Sequence, residues 1–216
     1  MIYAYDKNMV DSAQSLLGSM LDYSVYGLKY SVSDFYQLFL DSDYARGIEK
    51  GNSKIIMGTS GTELCYDILG SMELDKNNIE EFENHAIAGR SREYWTGWAL
   101  AYYQWNTSFS FDEINSVSKV DDIIRMYPKY HEMDINHFVD KMNELYKEKY
   151  PDTRLKTMRK TVGISQRDLS EMTGIPLKTI QQYEQRQKDI NHAKVDYLIK
   201  LSRAMSCDIE LLIEKV

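Results

Sequence analysis

Residues 153–214 read TRLKTMRKTVGISQRDLSEMTGIPLKTIQQYEQRQKDINHAKVDYLIKLSRAMSCDIELLIE, and this run decides the fold. Leu155, Met158 and Val162 recur at spacings of three and four, which predicts one apolar helix stripe. Gly163 stands where that helix should end, because a residue without a Cβ enters the left-handed region at little cost. Ser165 can cap a second helix whose inward positions are Leu169 and Met172. Gly174 closes that helix, Ile175 points inward, and Pro176 opens a third helix where its missing N–H has no partner to lose. Ile180 and Tyr183 hold the third helix to the core. Val195, Leu198, Ile199, Leu201 and Met205 predict a fourth helix, and Ile209, Leu211 and Leu212 a short closing one.

What is left of the third helix faces outward: Leu177, Lys178, Gln181, Gln182 and Gln185. Two short helices joined by a glycine-containing turn form a helix-turn-helix, which offers its second helix to the DNA major groove. A Gln amide can pair bidentately with adenine, and a Lys with guanine or phosphate. The face therefore suits base reading.

The pieces "LKTMRKTVGISQRDLSEMTGIPLKTIQQYEQ" and "VDYLIKLSRAMSCDIELLI" resemble the DNA-binding domain of the Xre family, the lambda-type repressor helix-turn-helix. The resemblance implies an all-α chain in which a lambda-repressor-like five-helix domain follows a helical one. It implies that Gln166 contacts phosphate or base, and that base reading falls on Leu177, Lys178, Gln181 and Gln182, with Gln185 and Arg186 beside them. The chain departs from the family pattern twice. Pro176 stands where the family has a Ser or Thr cap, and Arg186 where it often has Gly, adding a cation that can meet phosphate.

At 216 residues, 43% of them hydrophobic, the chain is long enough for one or two packed domains. Its two cysteines, Cys65 and Cys207, form neither a metal spacing nor a disulfide framework, as expected in the reducing cytoplasm. The first twenty residues include Asp6, Lys7 and Asp11 and carry no long apolar run, so neither a signal peptide nor a membrane span is expected. The net charge of −7 is unevenly spread. Residues 152–216 hold 12 Lys/Arg against 9 Asp/Glu, a net +3, whereas 1–151 hold 14 against 24, a net −10. Phosphate contacts need only local positive charge, so an acidic domain ahead of a mildly basic one is compatible with DNA binding.

Residues 1–150 read as a second, helical domain for partner binding or oligomerisation. Ala13, Leu16, Leu17, Met20 and Leu21 make a stripe over 7–22. Phe35, Leu38 and Phe39 continue the pattern after Ser33, with Gly47 or Gly51 as an end. Ser60 to Glu63 and Ser110 to Glu113 have capping-box spacing. Lys54 to Met57 is a short apolar run compatible with a strand but too short to decide. Residues 73–90 lose periodicity and read as a loop. A helix near 119–126 should stop at Pro128, and Met133 to Tyr150 carries a stripe from Ile135 to Tyr146 that leads to a linker at Pro151-Asp152.

In the run RSREYWTGWALAYYQWNTSFSFDEI, Trp95, Trp98, Tyr102 and Trp105 share one helix face. Gly97 and Ala101 would let another helix approach closely. The stripe suits a core helix, and Tyr94, Trp95, Trp98, Tyr102 and Trp105 also suit anchors for a protein partner.

No phosphate loop, zinc-protease motif or paired cysteine motif occurs, and Gly58 to Gly61 lacks nucleophile-elbow spacing. His85, His131, His137 and His192 are scattered, and Glu132 and Asp134 sit at a helix start where the dipole favours acids. No catalytic residue, metal or cofactor is expected, and the chain does not read as an enzyme. The runs "SREYWTGWALAYYQW", "YHEMDINHFVDKMNELY" and "TIQQYEQRQKDIN" also resemble a group of bacterial Xre-type proteins that look like antitoxins of toxin–antitoxin modules. That resemblance implies a cytoplasmic, sequence-specific transcriptional repressor, binding double-stranded operator DNA as a homodimer. Its N-terminal domain would neutralise a cognate toxin while the chain autoregulates its operon. A ligand-responsive or simply oligomeric Xre-type repressor without a toxin partner is the alternative.

Overall fold

The computed structural model describes residues 3–72 and 91–216, and every regular element among them is helical. The loop expected over 73–90 lies outside the described residues. The chain divides into two compact units, Met1–Tyr146 and Lys147–Val216; the sequence alone puts the break at Pro151-Asp152. No helix among the described residues is long and apolar enough to cross a membrane.

In the first unit a 3-10 turn, Lys7–Met9, leads into α1 (Val10–Tyr26), followed by α2 (Val32–Asp41), α3 (Asp43–Glu49), α4 (Ser53–Gly58) and α5 (Gly61–Ser71). Then come α6 (Arg92–Thr107), α7 (Phe111–Val117), α8 (Val120–Tyr130) and α9 (Ile135–Lys149). The stripe read at 7–22 is buried on α1: Ala13, Leu16, Leu17, Met20 and Leu21 all lie in the core. It packs along α6 at backbone distance. A Cβ added to Gly97 would stand 2.1 Å from the Leu17 carbonyl oxygen and 2.8 Å from the Gly18 amide nitrogen. On α5, a Cβ at Gly61 would lie 2.5 Å from the Met20 nitrogen, so α1 is gripped closely on two sides. Both expected capping boxes form: Ser60 N–H donates to Glu63 at 2.8 Å and Ser110 N–H to Glu113 at 2.8 Å, with the serine oxygens accepting in return.

Several local expectations change. Lys54 to Met57 is helical, in α4, because Asn52 caps it by accepting from the Lys54 N–H at 3.1 Å. The cap of α2 is Ser31, not Ser33, and the helix ends at Ser42 before either glycine. α8 runs through Pro128 to Tyr130. A proline late in a helix removes one hydrogen bond without stopping the chain from continuing for a few residues, provided neighbouring packing holds it. Here Tyr127 packs on Trp95, 5.7 Å between centroids, and Tyr130 faces Phe138 of α9.

The second unit holds α10 (Arg154–Val162), α11 (Gln166–Thr173), α12 (Leu177–Glu184) and α13 (Val195–Met205), with 3-10 turns at Ile190–His192 and Ile209–Leu211. The closing fifth element is thus a single 3-10 turn. Leu155, Leu169, Ile175, Ile180, Tyr183, Ile190, Leu198, Leu201, Met205 and Leu212 form its core. Two residues read as inward are not. Val162 is 43% exposed and Met172 58% exposed. In α10 Met158 does pack against the core, and the stripe ends there, one turn before Val162. In α11 the inward row runs from Leu169 to Thr173, whose hydroxyl donates to the Leu169 carbonyl at 2.6 Å.

At the start of α10, Asp152 accepts from Lys156 and Lys160, each at 2.7 Å, and these two ammonium groups hold its carboxyl down at about 2. A carboxyl lowered in the folded state contributes stability above its ordinary value near 3.9, and loses it as pH falls through about 2. Asp152→Asn should therefore lower the unfolding midpoint at pH 6–7 and make no difference near pH 2, measured by chemical denaturation across pH. Gly97→Ala should cost about 1–3 kcal/mol, because its methyl meets backbone that cannot yield. Gly58→Ala, with nothing within 4 Å of the added Cβ, is the control and should shift stability by no more than about 0.5 kcal/mol.

Candidate nucleic-acid interface

The turn between α11 and α12 is set by four short hydrogen bonds. Gly174 adopts the left-handed conformation, φ 67°, and its N–H donates to the Ser170 carbonyl at 2.9 Å. Ser170 Oγ donates to the Ile175 carbonyl at 2.6 Å, and the Ile175 N–H returns a 3.3 Å bond to Thr173 Oγ1. The Thr179 N–H reaches the Pro176 carbonyl at 2.8 Å. Pro176 gives α12 no side-chain cap, as its chemistry requires, and its extended ψ of 132° sets the entry of the helix. Ser165 caps α11 in a capping box with Asp168.

Beneath this turn lies a buried ion pair. Glu184, in the last turn of α12, has a side chain only 1% exposed, and Arg159 of α10 one 11% exposed. The guanidinium meets the carboxylate with two parallel bonds, Nε to Oε1 at 2.6 Å and Nη2 to Oε2 at 2.9 Å. Its Nη1 donates to the Ile164 carbonyl at 2.8 Å, and Gln166 Nε2 donates to Glu184 Oε2 at 2.7 Å. The hydrogen bonds that Arg159 donates to Glu184 are the main cause that raises its pKa, and the guanidinium stays charged. Every polar group of this network is partnered, which is the condition under which buried charges are tolerated.

Each residue expected to touch DNA can now be placed. Lys178, Gln185 and Arg186 are exposed; Leu177, Gln181 and Gln182 are half-buried on α12. Gln166, at the first position of α11, is half-buried and its amide braces Glu184, so its side chain positions α12. Arg186 takes the left-handed conformation, φ 54°, at the place where the resemblance leads one to expect Gly, and its Nη1 donates to the Pro151 carbonyl at 2.7 Å. Exposed Arg167, Lys178 and Lys188 join no ion pair among the described residues, which leaves them available to phosphate.

The five aromatics of α6 separate into two groups. Trp105 is buried, stacked on Tyr3 at 4.2 Å, with its indole N–H donated to the Tyr5 carbonyl at 2.9 Å, and Tyr102 leans on it. Trp95 is buried between Tyr127 and Phe138. Tyr94 and Trp98 are half-buried and with Trp95 line a cavity of about 200 Å³. Among the described residues no group of three or more His, Cys, Asp or Glu converges to hold a metal ion.

Sequence reasoning missed Arg159, Glu184, Ser170 and Thr173. The signal was there: Glu184 falls four residues after Ile180, in the inward row of α12, and a charge in an apolar row needs a buried partner. Arg159→Ala leaves the Glu184 carboxylate unpaired and should destabilise the second unit by about 3–5 kcal/mol, read as the loss of its thermal transition.

No curated protein and no solved structure matches the chain. A family model described as helix-turn-helix matches residues 155–212. The match spans the ion pair, the turn and the outward face of α12, and the segment 155–212 is a helix-turn-helix of the Xre, DNA-binding regulator type.

Proposed function

We propose that the chain is a sequence-specific transcriptional repressor that reads operator DNA through α12. The observation that carries this is the outward row Lys178, Gln181 and Gln182 on a helix held by the Arg159–Glu184 pair and the hydrogen-bonded turn. Gln166, Gln185 and Arg186 flank that row, with Leu177 at its start for apolar contact to a thymine methyl. One such unit makes few phosphate contacts, so the protein acts as a homodimer on two half-sites about one helical turn apart. The work is cytoplasmic, where the operator is.

The first unit is assigned to partner binding, and the chain to the antitoxin role, in which the acidic part masks a cognate toxin. The net −10 of residues 1–151 and the sequence likeness to antitoxins support this reading. An acidic surface speeds encounter with a basic partner, and aromatic anchors lengthen the complex. The half-buried Tyr94, Trp98 and Tyr102 are the anchors, while Trp95 and Trp105 support them from the core. A ligand-responsive repressor is the second reading, favoured by the cavity beside Tyr94, Trp95 and Trp98.

Binding to the DNA upstream of its own gene, followed by anisotropy at several salt concentrations, tests the DNA reading. Gln181→Ala and Gln182→Ala should each cost about 1–3 kcal/mol on the operator and little on random DNA. Lys178→Ala should lower the salt slope by about one unit if it meets phosphate. Unchanged affinity in all three variants would falsify the placement of the recognition face. Co-expression with the protein encoded beside it tests the antitoxin role: growth arrest by that protein should be relieved by the intact chain.

A further inference from the structure

The cavity between α6 and α8 is used by neither the core nor the DNA-reading face. Tyr94, Trp95 and Trp98 line it from α6, and Tyr127 and Tyr130 from α8, with Met133 following. Packing fixes the walls. Trp95 is held edge-on by Tyr127 and Phe138, at 5.7 and 5.5 Å between centroids, and His131 stacks on Tyr127 at 4.2 Å. Its volume of about 200 Å³ is below the about 300–1,000 Å³ typical of a drug-sized ligand site. It suits a small head group.

Charge decides the chemistry of that head group. No Lys or Arg lines the cavity, and its lining imidazole, His131, meets the Glu132 carboxylate at 3.6 Å, which places that carboxylate at the edge of the cavity. The aromatic wall already meets a cation from outside: Lys129 Nζ lies 5.0 Å from the Tyr130 ring centroid. Aromatic faces attract cations through their quadrupole, most strongly where the cation sheds its water easily. An ammonium clothed in methyl groups sheds water easily and buries apolar area at the same time.

We propose that this cavity binds a small organic cation of the quaternary-ammonium type, with the methylated nitrogen among Trp95, Trp98, Tyr127 and Tyr130 and the Glu132 carboxylate at the rim. The site lies wholly in the first unit.

Titration calorimetry of the full chain with choline, benzyltrimethylammonium and the neutral choline isostere 3,3-dimethylbutan-1-ol tests it without any variant. The cations should bind at one site per chain and the isostere about tenfold more weakly. Absence of binding by both cations overturns the proposal, as does equal affinity for choline and its isostere. Trp98→Leu then locates the site by abolishing cation binding. Should that variant not fold, Met133→Lys serves, because Met133 is 46% exposed and a lysine there sets a like charge at the mouth. Met133→Lys should keep its thermal midpoint and lose cation binding; unchanged binding places the site elsewhere and overturns the assignment.

Discussion

The Arg159–Glu184 pair is the constraint on which the DNA-reading part depends. One guanidinium touches the carboxylate of α12 and the carbonyl of Ile164, and Gln166 of α11 completes the carboxylate's partners. Three helices that share only a small apolar core are thereby set in one arrangement. Apolar packing alone is tolerant of small slides between helices, whereas a bidentate guanidinium–carboxylate contact is directional. For the proposed DNA-reading face, which would present amides to base edges, direction matters more than net stabilisation. The pair need not stabilise the unit relative to an apolar substitute; it selects which packing is populated.

The first unit solves a different problem. Its central helix is rich in large aromatics, yet α1 lies against its backbone, because Gly97 and Gly18 thin the contact on one side. With one flank reduced to hydrogen, the bulky rings are left to the other flank, where Trp95 and Trp105 pack inward and Trp98 borders a cavity. Glu93 is buried at the start of α6, where the helix dipole favours it, and meets Tyr26 and Arg92 at 3.0 and 2.9 Å.

The sequence made the helix-turn-helix legible because its punctuation is local chemistry. Gly163, Ser165 and Gly174 sit at the positions their conformations demand, and all three take the expected role. The same local logic found the capping boxes at Ser60 and Ser110. It failed where the deciding term is tertiary. Val162 and Met172 fit the apolar period, and only the docking of neighbouring helices ends the α10 stripe at Met158 and chooses Thr173 over Met172 in α11. Pro128 reads as a stop, but aromatic packing around Tyr127 and Tyr130 carries α8 past it. Of the α12 residues read as outward, Lys178 and Gln185 are exposed and Leu177, Gln181 and Gln182 half-buried, while the brace beneath them was hidden because its two charges are 25 positions apart.

The same separations bear on how the chain acquires its structure. In the second unit the brace closes a loop of 25 positions. In the first, α1 and α6 meet across 84 positions, as in the bond from Gln14 to the Trp98 carbonyl. Closing the longer loop costs about 1 kcal/mol more chain entropy, and the α1–α6 part of that core is available only once α6 has been made. On refolding, the second unit has the kinetic advantage, with the aromatic unit following in a slower phase. During synthesis α1 meets α5 before α6, and must wait for α6, its most extensive neighbour, before the Leu17–Gly97 side is covered. The capping boxes and serine caps, which need no distant partner, hold the local helices together over that interval.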